Sequence, residues 1–110
     1  MATTYKVLGQ NNPAATTATT LYTCPAGTQT IISTLTVCNL SSTNSTFRVA
    51  VRPDGASLAN QHYLAYDTTV SGNNTTALTL GMTLDAGDVL TVYASNTSIA
   101  FTAFGSEIVA

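Results

Sequence analysis

Charge is what this sequence has least of. Asp, Glu, Lys and Arg make up 7% of its 110 residues, against about 25% in an ordinary soluble domain. Lys6, Arg48 and Arg52 are the only fixed cations. Three cannot build the phosphate-tracking stripe that nucleic-acid binding requires, which argues against nucleic acid as a partner. Tryptophan is absent and His62 is the one histidine. A lone histidine cannot supply a Cys/His metal cluster, and no G-x-S-x-G elbow occurs. His62 and Asp67 fall on opposite faces if they share a strand, so His62 reads as a surface or interface histidine. Asp85 and Asp88 flank Ala86-Gly87, but a calcium loop needs several more oxygen ligands; they read as turn formers whose carboxylates bond turn amides. With no positioned nucleophile, base or metal set, the expectation is a protein that is not an enzyme and carries no metal and no cofactor.

Long apolar runs are missing too. None approaches the roughly 20 residues of a membrane-spanning helix. The start, "MATTYKVLGQ", has neither the basic stretch nor the apolar stretch of a signal peptide. The expectation is synthesis in a cytoplasm and no membrane partner. The N-x-Ser/Thr patterns at Asn39, Asn44, Asn73, Asn74 and Asn96 then stay unmodified, and Cys24 and Cys38 stay as thiols. If "PAGT" closes a hairpin, Cys24 and Cys38 also lie too far out of register to be bridged.

What replaces charge is Thr, Ser, Asn and Ala, with 45% apolar residues. That is too apolar for a disordered chain. Thr favours strands, and Asn, Ser and Gly favour turns. Periodicity of two dominates. Strands are expected over "TTYKVLG", "LYTC", "QTIISTLTVCN", "TFRVAVR", residues 62–66, "LTLGMTL", "DVLTVYA" and "IAFTAFGSEIV", the last breaking at Gly105. In the third, Ile31, Ser33, Leu35 and Val37 share one face. In the fourth, Phe47, Val49 and Val51 face inward while Arg48 and Arg52 point out. In the sixth, Leu78, Leu80, Met82 and Leu84 face the core. Arg52-Pro53-Asp54-Gly55 reads as a type I turn, and residues 56–61 as irregular or one helical turn. Eight short strands with polar turns and no helices between them predict a single all-β domain over 1–110, an antiparallel β-sandwich of jelly-roll type. Residues 1–20 are expected to include an extended N-terminal arm.

Two groups of residues stand out as a possible interface. Arg48 and Arg52 lie four apart on one strand face, and Arg is enriched at subunit contacts. The two ends, with Tyr5 and Lys6 in one and Glu107 in the other, carry strand-like alternation suited to pairing with each other or with a neighbour. A weakly charged surface repels copies of itself weakly, so homo-oligomerisation is expected.

The blocks "LYTCPAGTQTIISTLTVCN", "TFRVAVRPDGA" and "LTLGMTLDAGDVLTVYA", most specific over 22–39, 46–53 and 78–94, resemble a family of small virion structural proteins of tailed bacteriophages, common in aquatic phages. The resemblance spans nearly the whole chain and contains no catalytic motif. It implies a multi-copy virion component, made in the host cytoplasm, with other virion proteins as partners. Small size and low charge favour a capsid decoration, or cement, protein that stabilises the shell. A tail, baseplate or fibre component is the alternative. A carbohydrate-binding β-sandwich module is the third reading, for which Tyr5, Tyr22, Tyr63, Tyr66 and Tyr93 are the aromatic candidates.

Overall fold

A strand with period-two alternation has one apolar face and must bury it against another sheet. The computed structural model, which describes residues 2–109, shows how this chain does so. Its strands are β1 (Ala2–Asn11), β2 (Thr19–Thr23), β3 (Thr28–Asn39), β4 (Ser45–Arg52), β5 (Tyr63–Val70), β6 (Thr75–Leu78), β7 (Met82–Leu84), β8 (Val89–Ala94) and β9 (Ile99–Val109). The first half of the chain pairs antiparallel with the second half. β1 pairs with β9, β2 with β8, β3 with both β6 and β7, and β4 with β5. The chain is thus one long antiparallel ribbon that turns back at residues 53–62 and rolls up. Rolling creates two further ladders, β3 with β9 and β4 with β8. The result is a first sheet ordered β1-β9-β3-β6, with β7 also on β3, packed over a second sheet ordered β2-β8-β4-β5. This is the predicted all-β sandwich, with jelly-roll strand order. Nine strands fill eight ladder positions because the expected strand 78–84 is cut in two.

The core lies between the sheets. Phe47 and Phe101 meet edge to face at 6.4 Å, surrounded by Ile32, Leu35, Val37, Val49, Leu90, Val92 and Ile99, all fully buried.

Several local expectations change, and three of the changes share one cause. The register of β1 on β9 shifts between Val7 and Gly9, and that of β3 on β9 shifts between Ile32 and Thr34. Both bulges sit beside Phe104 of β9, the first between it and Ala103, the second between it and Gly105. On the far side of β3, the gap between Leu78 and Met82 faces the same place. A crease therefore crosses the whole first sheet. A bulge moves alternation to the other face. Hence Ile32 points inward and Ile31 and Ser33 point outward, against the expectation that Ile31 shares a face with Leu35 and Val37. Leu80 is likewise not a core residue: it is 58% exposed, in a loop where Gly81 takes a left-handed φ of 67°. β9 runs unbroken through Gly105, which is needed for closeness rather than for a break. A Cβ there would lie 2.0 Å from the Ile31 carbonyl oxygen.

Other corrections are separate. "PAGT" does not close a hairpin, because β2 and β3 belong to different sheets; both cysteines are nevertheless unpaired. Residues 2–20 are not a free arm. Residues 2–11 and 19–23 are strands, and the link is fastened by the Asn12 amide to the carbonyls of Thr97 (2.9 Å) and Ile99 (2.6 Å). The 53–55 turn is not type I, since Asp54 sits at φ 56°. His62 is not a surface residue. It is 9% exposed at the end of a 3-10 turn (Asn60–His62), where its Nδ1 accepts the Ala59 amide at 3.0 Å.

Candidate interaction surface

On the outer face of the first sheet, register places Thr3, Tyr5 and Val7 of β1 beside Ile108, Ser106 and Phe104 of β9, and the latter beside Gln29, Ile31 and Thr34 of β3. None is charged. Tyr5 is 82% exposed, and Val7, Ile31 and Phe104 are each about two-fifths to one-half exposed. The crease hollows this face. Tyr5, Ile31 and Phe104, with Lys6 beside them, line a shallow groove of about 380 Å³ that also includes Gly105.

From that face a polar chain runs inward, from the half-exposed Lys6 to the buried Glu107, Tyr22, Thr30 and Cys24. The Lys6 ammonium lies 2.7 Å from Glu107 Oε1. The Tyr22 hydroxyl donates to Glu107 Oε2 and lies 2.7 Å from Thr30 Oγ1, which in turn lies 3.2 Å from the Cys24 thiol. Lys6, and after it the Tyr22 hydroxyl, hold the Glu107 carboxyl below the usual range. Burial, reinforced by Glu107, pushes the Tyr22 phenol well above its ordinary value. Among the described residues no buried side-chain nitrogen or oxygen lacks a partner.

The outer face of the second sheet is different. Register sets Arg48 opposite Tyr93. The Arg48 guanidinium lies 4.1 Å from the Tyr66 ring centroid and 4.2 Å from that of Tyr93. Its Nε donates to Asp67 Oδ1 at 2.7 Å and its Nη2 to Oδ2 at 3.3 Å. That carboxylate raises the Arg48 pKa further. Arg52 donates to Thr91 Oγ1 at 3.1 Å and to the Ala56 carbonyl at 3.0 Å, so it ties the 53–62 segment down onto the sheet.

The five residues singled out in the sequence thus form two groups on opposite sides of the sandwich. Tyr5, Lys6 and Glu107 meet at one end of the first sheet, and Arg48 and Arg52 stand on the second. Sequence reading missed Ile31 and Phe104, because the bulge that turns Ile31 outward leaves no mark in the alternation. Tyr66 and Tyr93 were visible as tyrosines, but not as the two rings that stack on Arg48. Asp85 and Asp88 are turn formers: Asp88 accepts the amides of Asp54 (2.8 Å) and Asp85 (2.9 Å) through separate oxygens. No group of three or more His, Cys, Asp or Glu among the described residues could hold a metal ion. No described helix is long and apolar enough to cross a membrane.

Fold and surfaces together define an antiparallel jelly-roll protein with two contrasting outer faces. No known protein family and no curated protein matches the chain. Among solved structures it is similar to a pentameric capsid protein isolated from metagenomic phage sequences. The identity is 19%, the match covers 97% of this chain and 61% of that one, and the TM-score is 0.40. This chain therefore spans about three-fifths of the length of that protein.

Proposed function

We propose that this protein is a structural component of a phage virion, a capsid decoration protein that stabilises the shell by multi-copy contacts through the outer face of its first sheet. The observation that carries the reading is that face: studded with exposed Tyr5, Val7, Ile31 and Phe104, creased into a groove, and bordered by a single charged side chain, Lys6, which is already paired with Glu107. Exposed apolar groups that cluster mark contact surfaces. Three strands of ten to twelve residues and the short β6 and β7 end to end beside them, spaced about 4.8 Å apart, offer on the order of 600 Å² per partner, or about 1,200 Å² in all, just above what a specific interface needs. The resemblance of the 22–39, 46–53 and 78–94 blocks to tailed-phage virion proteins supports the same reading. So does jelly-roll order, which is shared by viral capsid domains, though also by lectins and cupins. On this reading the chain is not an enzyme, has no cofactor, and is homo-oligomeric or held by other virion proteins. Glycan recognition would add to such a role rather than compete with it.

Gold-labelled antibody on intact particles, viewed by electron microscopy, tests this. Gold spread over the head is expected. Gold confined to the tail would replace decoration with a tail, baseplate or fibre role. Unlabelled particles would overturn the virion reading altogether.

A further inference from the structure

Three of the five tyrosines stand together on the outer face of the second sheet, and nothing in the packing of the sandwich requires it. Tyr66 is 56% exposed, although a ring of its size is among the most favourable groups to bury. Its orientation is nonetheless fixed. Arg48 stacks on it at 4.1 Å, and Tyr63 meets it edge to face, with centroids 4.9 Å apart and planes at 85°. The register of β4 on β5 slips between Phe47 and Val49, and there Asp67 takes a left-handed φ of 49°. Non-glycine residues in that region cost energy and cluster at binding sites. Asn60, Tyr63 and Tyr66 line a shallow hollow of about 360 Å³ at this point.

Arg48 covers one face of the Tyr66 ring; the exposed remainder of this fixed ring, beside the planar Asn60 amide, has a defined ligand chemistry. The ring offers a flat apolar surface with a negative quadrupole, suited to the slightly positive C–H groups on one face of a sugar ring. The Asn60 amide presents a donor and an acceptor side by side, matching adjacent hydroxyls. Because the rings are already held, little side-chain entropy remains to be lost on binding. Charge decides the kind of sugar. Asp67 and the two rings already engage the Arg48 guanidinium, so an anionic ligand finds no free cation. We infer that the hollow of Asn60, Tyr63 and Tyr66 binds a neutral hexopyranose, as a free sugar or as the end of a glycan. This does not depend on the virion reading, and it is tested on the isolated full-length chain.

The experiment is saturation-transfer NMR of the protein with methyl glucoside, methyl galactoside, methyl mannoside and N-acetylglucosamine at millimolar concentration, with sialic acid as the anionic contrast. At least one neutral sugar should take up magnetisation along one C–H face. Tyr66→Ala should raise its dissociation constant about tenfold, the scale of one aromatic contact, whereas Tyr66→Phe should preserve it. Tyr5→Ala, which removes the most exposed tyrosine on the opposite face, should change nothing. If Tyr66→Ala fails to fold, Asn60→Ala, at an exposed position, should weaken binding about fivefold, the loss of one hydrogen-bonding side chain. Transfer to none of the neutral sugars, transfer that survives Tyr66→Ala and Asn60→Ala, or preference for sialic acid would each overturn the inference.

Discussion

The outer face of the first sheet carries Tyr5, Val7, Ile31 and Phe104, with Lys6 beside its groove already paired with Glu107, whereas that of the second carries Arg48, Arg52 and Asp67, each likewise matched within the chain. The second face looks polar but offers little free charge, since its guanidinium groups are engaged by Asp67, two tyrosine rings, Thr91 and the carbonyl of Ala56. The first offers apolar surface with nothing over it. The contrast shows what so few charges are for. In most soluble proteins surface charge keeps copies apart. Here it stitches the chain to itself, and association is left almost unopposed.

The sharpest way to break the first face is at its crease. Gly105→Val should have the largest effect of any change considered, because the new side chain would start 2.0 Å from a backbone oxygen held by two adjacent ladders. Overpacking against backbone costs about 3 kcal/mol or more, and urea denaturation should show at least that loss, or no folded protein. Gly81→Ala serves as the contrast. It sits at φ 67° with nothing near its Cβ, and should cost about 1 kcal/mol. Equal costs at the two positions would mean that the crease is not a close contact.

Next comes a test of which face binds. Ile31→Glu combined with Phe104→Glu places two carboxylates in the groove. It should weaken attachment to particles about a hundredfold, the scale of two interface anchors, while shifting stability by under about 1 kcal/mol, since both side chains are partly exposed. The same two charges at Thr68 and Thr69, exposed on β5, should leave attachment unchanged. Loss from both pairs would erase the distinction between the faces.

The sequence displayed the sandwich plainly and the crease hardly at all. Alternation of Phe47 and Val49 against Arg48 is a local signal, and it survives, although Val51 is only partly buried and Ala50, expected outside, is buried as well. So does the turn chemistry of Asp88, whose carboxylate accepts the amides of Asp54 and Asp85. The bulges do not announce themselves, because Ile31-Ile32 reads equally well in either register and only pairing with β9 decides which isoleucine goes in. Gly105 was legible as a peculiarity but was assigned the wrong role, since a strand break and a close backbone approach both call for glycine. The meeting of Arg48 with Tyr66 and Tyr93 depends on two ladders at once, and no local pattern encodes that. His62 was misjudged for a similar reason: the 3-10 turn that buries it exists because the 53–62 segment folds back over the sheet.

The smallest effects concern the two ion pairs, one reaching in beneath the first face and one lying on the second. Glu107 is buried and bonded to both Lys6 and Tyr22, whereas the Asp67 side chain is about half exposed. If the internal charges serve the fold, removing the buried one should matter more. Glu107→Gln should cost about 2 kcal/mol at pH 7, the usual scale for hydrogen bonds to a charged group. Asp67→Asn should cost less, and its cost should shrink as salt rises, as for any exposed pair. The pH dependence follows from the lowered pKa of Glu107, caused first by Lys6 and then by Tyr22. A carboxyl with a depressed folded pKa contributes stability that is complete above its ordinary value of 4.5 and is lost as pH falls through the folded value. The difference in urea midpoint between the wild type and Glu107→Gln should therefore be constant near neutrality, begin to narrow below about pH 4.5, where the unfolded chain's carboxyl takes up its proton, and close as pH falls through the lower folded value. A difference that stays open down to pH 2 would mean that Glu107 acts through its shape rather than its charge, and the account of charge as internal stitching would then rest on the second sheet alone.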